Sequence, residues 1–438
     1  MSMVGKGIRS PFAIAIVSPL LLLLLLGALA LALASPSGLE RDWLPLTTEH
    51  LVVHFWRDGA DPGLFERVAG ESLYLMVLKE RALHLERAFQ RVEEFLGLDY
   101  DPGEFGRAYV FVYPDLESYQ EATGCLICAA SVGGFLPSLW NEQLEELVRA
   151  GEVSPIVVYL TLDSTEYVAL HEFTHLLDFA LIRSSPPAAL LEGLATYVGY
   201  RLDPIPDEWQ LGLGEELLRI FMEEQGVSLQ EYLSLRGYWK FTYEVGASFV
   251  AFLVERAGLE RFLEFYSELY RLSEVEIDGL LRDHFGEGLA ALEAEWEERL
   301  AGLSPSENVR ALYEFRMDQV LVRYIFLRPL FREPERAEKL FEEARTLRRG
   351  RFDEAAGAAL RRYLSLENLT IDPERAAKAL DYSRYLLWYV RSYHRTEPEL
   401  LSRFHRDYRR MVKLYAAGDW QGFLEFYFRM VQTYVTWR

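Results

Sequence analysis

The sequence predicts an α+β protein in which a small mixed sheet packed with helices is followed by an all-α C-terminal domain. Three observations carry this expectation. Short runs rich in Val, Phe and Tyr, bounded by Gly, Asp and Pro, occur before residue 163 and not convincingly after it. Helical patterns then continue almost to the end of the chain. Half of the 438 residues are hydrophobic and 26% are charged, which excludes a collagen-like, low-complexity or wholly disordered chain.

Taken in order, the first ten residues carry Lys6 and Arg9 and no acid, and an uncharged run follows over residues 11–39 with Leu20 to Leu26 at its centre. This reads as an export or membrane signal that leaves the rest of the chain outside the cytoplasm. Ala32-Leu33-Ala34 before Ser35 fits a small-x-small cleavage site, while residues 12–34 are long enough to span a bilayer. Residues 1–34 are therefore either a cleaved signal peptide or a retained membrane anchor.

Residues 49–56, 107–113 and 155–162 read as strands, and the amphipathic segment 64–96 as a long helix between the first two. Helical segments after residue 162 are separated by Ser184-Ser185-Pro186-Pro187, Asp203-Pro204-Ile205-Pro206, Gly226, Gly286 and Ser304-Pro305-Ser306. The last break divides residues 35–304 from a helical domain over residues 305–438.

Charge follows the same division. Residues 305–438 hold 25 Lys and Arg against 19 Asp and Glu, whereas the net charge of the whole chain is -21. An acidic front argues against nucleic-acid binding, which needs clustered cations. The mildly basic back half is expected to pack against the acidic front, because its basic residues are interleaved with acids and do not form a dense lipid-binding cluster. Cys125 and Cys128 are the only cysteines, too few for a disulfide scaffold or a four-thiolate zinc module. They form either one disulfide or a pair of buried thiols.

The chemistry concentrates after residue 162. Asp163-Ser164-Thr165-Glu166 is a helix start, with an acceptor at the N-cap and a carboxylate three residues later. One turn on comes His171-Glu172-Phe173-Thr174-His175. A spacing of four puts both imidazoles on one helical face, able to converge on one Zn2+ ion, with Glu172 beside them. A catalytic zinc site wants a third protein ligand. Glu192 is a lone carboxylate in an apolar helical stretch, at a distance that suits a second helix returning antiparallel. Asp178, on the ligand face, is a partner for a ligand histidine, a surface acid or a direct ligand.

His171-Glu172-Phe173-Thr174-His175 followed by Leu191-Glu192-Gly193-Leu194-Ala195 resembles the gluzincin branch of zinc metallopeptidases, within a zincin-like catalytic domain. That resemblance implies His171, His175 and Glu192 as zinc ligands and Glu172 as general base. Tyr243-Glu244-Val245-Gly246 is similar to a gluzincin segment whose Tyr stabilises the transition state, which implies that role for Tyr243; a packing Tyr is the plainer reading, and Tyr238 and His284 are other donors. The strand, helix, strand order and Val132-Gly133-Gly134-Phe135 resemble peptidase MA-like domains, and Gly133-Gly134 is either a turn or an edge for substrate backbone. No Gly-x-Met-Glu-Asn segment for a substrate amine is present, so endopeptidase is expected before aminopeptidase.

The functional expectation is an exported or membrane-anchored zinc peptidase acting on peptide or protein substrates. The competing expectation is a vestigial zincin fold that binds or scaffolds through its helical C-terminal domain.

Overall fold

In LVVHFW the alternation sends Leu51, Val53 and Phe55 to one face, all fully or almost fully buried, and leaves His54 and Trp56 on the other. A computed structural model of the protein describes residues 43–56, 71–123, 130–134, 136, 142–162, 164–203, 211–234, 240–270, 272–345, 354–393 and 398–436. The segment 1–34, the first part of the expected helix before residue 71, Cys125, Cys128, Phe135, Asp163 and Tyr238 lie outside the described residues. Among the described residues no helix is long and apolar enough to cross a membrane.

The strands are β1 (Trp43–Thr47), β2 (Leu51–Trp56), β3 (Arg107–Tyr113), β4 (Ser131–Gly133) and β5 (Val153–Thr161). They form one mixed sheet in the order β1-β2-β3-β5-β4, with β2, β3 and β5 parallel and the two outer strands antiparallel to their neighbours. β1 and β4 are not indicated by the sequence. β1 contains Pro45, which lacks an N–H and is tolerated at an edge, and β4 has three residues, too few to show a period. Pro155 lies inside β5, where the β3–β5 register shifts between Arg107 and Tyr109.

Helix α1 (Glu71–Leu96) covers one face of the sheet. Leu78, Ala82, Leu85, Phe89 and Val92 recur at spacings of four and three and are buried against Val53, Val110 and Leu160. The other face carries Phe111, Tyr113, Val157 and Tyr159, with Trp43, Trp56 and the helical Tyr119 packed on them. The short α2 (Pro102–Phe105), α3 (Leu116–Thr123) and α4 (Glu142–Ala150) connect the strands.

Next come α5 (Glu166–Leu177), α6 (Ala188–Leu202), α7 (Leu211–Gln225), α8 (Leu229–Ser234), α9 (Thr242–Ala257), α10 (Leu259–Glu268), α11 (Glu274–Phe285) and α12 (Leu289–Ala301). The expected breaks at Gly226 and Gly286 follow α7 and α11, each with a positive φ. Thr165 is the N-cap of α5, its Oγ1 accepting from Val168 N at 3.4 Å, while the Ser164 hydroxyl accepts from the Thr161 backbone N–H at 2.9 Å; the expected N-cap, Asp163, lies outside the described residues.

The C-terminal helices are α13 (Glu307–Met317), α14 (Val320–Leu327), α15 (Pro334–Arg345), α16 (Glu354–Tyr363), α17 (Pro373–Tyr393), α18 (Pro398–Ala416) and α19 (Trp420–Tyr434). They enclose a separate core around Phe326, Leu330, Leu386, Phe404 and Tyr427. α13 serves both cores: Val309, Tyr313 and Met317 pack into the first and Phe315 into the second. The break at Ser304 to Ser306 thus precedes a helix shared by the two halves. Ion pairs between the halves join Arg316 to Glu244 at 2.6 Å and Arg328 to Glu117 at 3.3 Å.

Candidate metal centre

α5 is buried nearly all round. Ala169, Leu170, Phe173, Leu176 and Leu177 are packed in the core, and so are the polar His171, Glu172 and His175, each 7–8% exposed. Burying polar side chains costs free energy unless each finds a partner, so their company identifies the site. After α5 the chain passes through one wide turn of π-helix, Asp178–Ile182, and Arg183 takes a left-handed conformation with φ 56 before the chain reverses into α6. Pro187 begins α6, its carbonyl accepting from Leu190 and Leu191.

α6 runs antiparallel to α5. Stepping back along α5 from His175 to His171 to Tyr167 meets Glu192, then Thr196, then Gly199 and Tyr200 on α6. This brings three ligand atoms together. Glu192 Oε2 lies 3.2 Å from His171 Nε2 and 3.3 Å from His175 Nε2, and the two Nε2 atoms are 3.1 Å apart. Thr196 Oγ1 lies 3.5 Å from His171 Nδ1, on the side away from the cluster. Phe179 stacks on the His175 ring at 6.1 Å.

The electrostatics are those of a tightly coupled buried group. Burial would raise the Glu192 carboxyl, but His175 and hydrogen bonds from both imidazoles hold it well below the usual carboxylate range. Burial would lower His175, and Glu192 overrides it, bringing His175 to about 9. Burial keeps His171 low. Glu192 and His175 thus shift in opposite directions, each favouring the charged form of the other. Glu172 is pushed up to about 8 by burial, with His175 opposing the rise and Glu192 adding to it.

Tyr243 comes from the first turn of α9, and its ring stacks on His171 at 5.9 Å and 29° while remaining 39% exposed. α9 reaches this place because it crosses α6 at Gly193 and Gly246. A Cβ on Gly246 would sit 1.8 Å from the Ala189 carbonyl oxygen, and one on Gly193 would sit 2.5 Å from the Gly246 carbonyl carbon. No larger residue fits either position.

His284 is not part of this cluster: it lies on α11 with Nε2 3.1 Å from Glu268 and its ring against Phe265. Asp178 is 1% exposed, so it is not a surface acid. Its carboxylate accepts from Ser184 Oγ and Tyr266 OH, each at 2.9 Å, which ties the π-helical turn to α10. Burial raises it to about 6, against the lowering by Ser184, Tyr266 and His175. Thr196, Tyr167 and Phe179 were not singled out in the sequence. Thr196 had a readable signal, being four residues after Glu192 on the same helix face. A second group of ligand-type side chains, Glu49, His50 and Glu86, joins β2 to α1, where Glu86 accepts from Thr48, His50 and Gln90.

No protein-family model matches this chain, and no curated protein does. The functional reading therefore rests on the residues themselves.

Proposed function

We propose that the protein is a zinc-dependent peptidase of endopeptidase type, acting outside the cytoplasm. The observation that carries this reading is the convergence of His171 Nε2, His175 Nε2 and Glu192 Oε2 within 3.3 Å of one another in the core, with Glu172 buried beside them. Two neutral imidazoles and one carboxylate make a donor set that suits Zn2+ and leaves its fourth position open. The arrangement also fits a cation, because the three ligand-type atoms converge on one point in the core.

Zinc bound there would supply Lewis acidity, polarising a carbonyl and making water more acidic. Glu172 accepts the proton from the attacking water and delivers it to the leaving amine. A cation next to it would favour its carboxylate form, opposing the burial that raises its pKa. Tyr243, exposed and stacked on His171, would donate a hydrogen bond to the oxygen on which charge develops. β4 lies at the edge of the sheet and supports pairing of an extended substrate backbone beside the site. Leu170 and Thr174 are among the neighbours that exclude water from the far side of α5.

The test is metal analysis combined with a peptide-library cleavage assay on the protein lacking residues 1–34. About one zinc per chain and cleavage at internal bonds are expected. Protein that binds zinc and cleaves no member of the library leaves the peptidase reading without support.

A further inference from the structure

We propose that Arg316, on α13 of the C-terminal half, is a positioning residue for this site, holding the first turn of α9 and with it Tyr243 against His171; the proposal rests on the peptidase reading above. α9 starts without a side-chain cap. Its first turn is preceded by Phe241 in a left-handed conformation, φ 56 and ψ 23, and Phe241 is 1% exposed. A bulky residue in that region persists only where its surroundings hold it there.

The surroundings come largely from α13. Phe241 stacks on Tyr313 at 5.9 Å and on Phe221 at 4.7 Å. The Arg316 guanidinium lies over the Phe241 ring at 4.7 Å and pairs with Glu244 Oε1 at 2.6 Å. The two charged side chains are 20% and 4% exposed, so neither has water as a full substitute for the other. Tyr313 and Arg316 are three residues apart on one face of α13. That face therefore grips the residue two before Tyr243 and the residue one after it.

Glu244 and Arg316 also act electrostatically on Tyr200. Tyr200 stacks on Tyr167 at 5.4 Å, and Tyr167 has hydrogen-bonding contact with Thr196, which faces His171. Arg316 is not what docks α13, since Val309, Tyr313 and Met317 already bury its apolar face in the first core. A role beyond holding the halves together follows from that separation.

The experiment compares the full chain with Arg316→Met, Tyr243→Phe and the double variant. Arg316→Met should lower kcat about tenfold with KM within about twofold and zinc content unchanged, and in the Tyr243→Phe background it should cost nothing further. Amide exchange should rise about tenfold in the first turn of α9, with and without zinc, while α5 stays as protected as before. A kcat loss that persists in full in the Tyr243→Phe background, or unchanged exchange at the α9 first turn, overturns the proposal. Should the unsubstituted protein hydrolyse no peptide, the peptidase reading fails and the exchange measurement alone decides the positioning role. Should Arg316→Met not fold, Glu244→Gln carries the same expectations and Arg316→Lys, which keeps a cation beside Glu244, a smaller loss.

Discussion

Gly193 and Gly246 touch backbone to backbone where α6 crosses α9, and three residues before Gly246 the Tyr243 ring stacks on His171. The two glycines belong to the segments that carry Glu192 and Tyr243, so each segment holds one candidate site residue and the glycine that lets it approach the other. The crossing is an obligatory part of the site's geometry.

Gly246→Ala should therefore be costly. Its new methyl would overlap the Ala189 carbonyl oxygen, and overpacking of this kind costs about 1–3 kcal/mol. Gly279 offers the contrast: it lies within α11, and a Cβ there would meet nothing within 4 Å. Gly279→Ala should be neutral or stabilising by up to about 1 kcal/mol. Urea unfolding of both variants checks this, and equal stabilities would show that the α6–α9 contact yields easily.

His171→Ala and Glu192→Ala should each abolish stoichiometric zinc binding, since each removes one of three converging ligand atoms. Metal analysis of the purified variants provides the check. Full zinc retention in Glu192→Ala would move the third ligand elsewhere and would require Asp178 to leave Ser184 and Tyr266.

Glu172→Gln should keep zinc and fold and lose turnover by about 10²–10⁴-fold, because an amide cannot accept the proton of the attacking water. Turnover within a few-fold of the original protein would rule out Glu172 as the base.

Metal affinity should depend on pH with a definite sign. In the metal-free protein Glu192 overrides the effect of burial and keeps His175 protonated up to about 9. Zinc needs that nitrogen deprotonated, so below this pH each ion bound displaces a proton. Affinity should rise about tenfold per pH unit between 6 and 9 and then level off. A chelator competition titration measures it, and a flat profile would mean that binding displaces no proton from His175.

The parts of this protein that were legible in the sequence are those written at short range. β3 was expected over residues 107–113 and occupies Arg107–Tyr113, because seven residues of alternating and buried apolar character need no distant information. His171 and His175 share a face because they are one turn apart. Glu192 was legible as a lone acid in an apolar helix. β1 and β4 were not legible, one because it contains Pro45 and the other because three residues cannot display a period. Thr165 caps α5, and its hydroxyl was not legible as the cap because Ser, Thr and Asp side by side all offer a suitable acceptor. Asp178 was on the right helix face, but its burial depended on Tyr266, which lies far along the chain.

By itself the sequence determined the α+β order, the acidic front and basic back, and the candidate ligands and base. The first two follow from periodicity and composition, which act over a few residues at a time, and the last from the spacing of a short motif and the resemblance it carries. Tertiary structure alone decided that Glu192 reaches both histidines, that Tyr243 lies on His171, and that Arg316 of the other half grips the turn carrying it. Those contacts depend on which helix faces are small enough to meet and on which buried charges must pair. Both are properties of packed surfaces, fixed only when distant segments share one core.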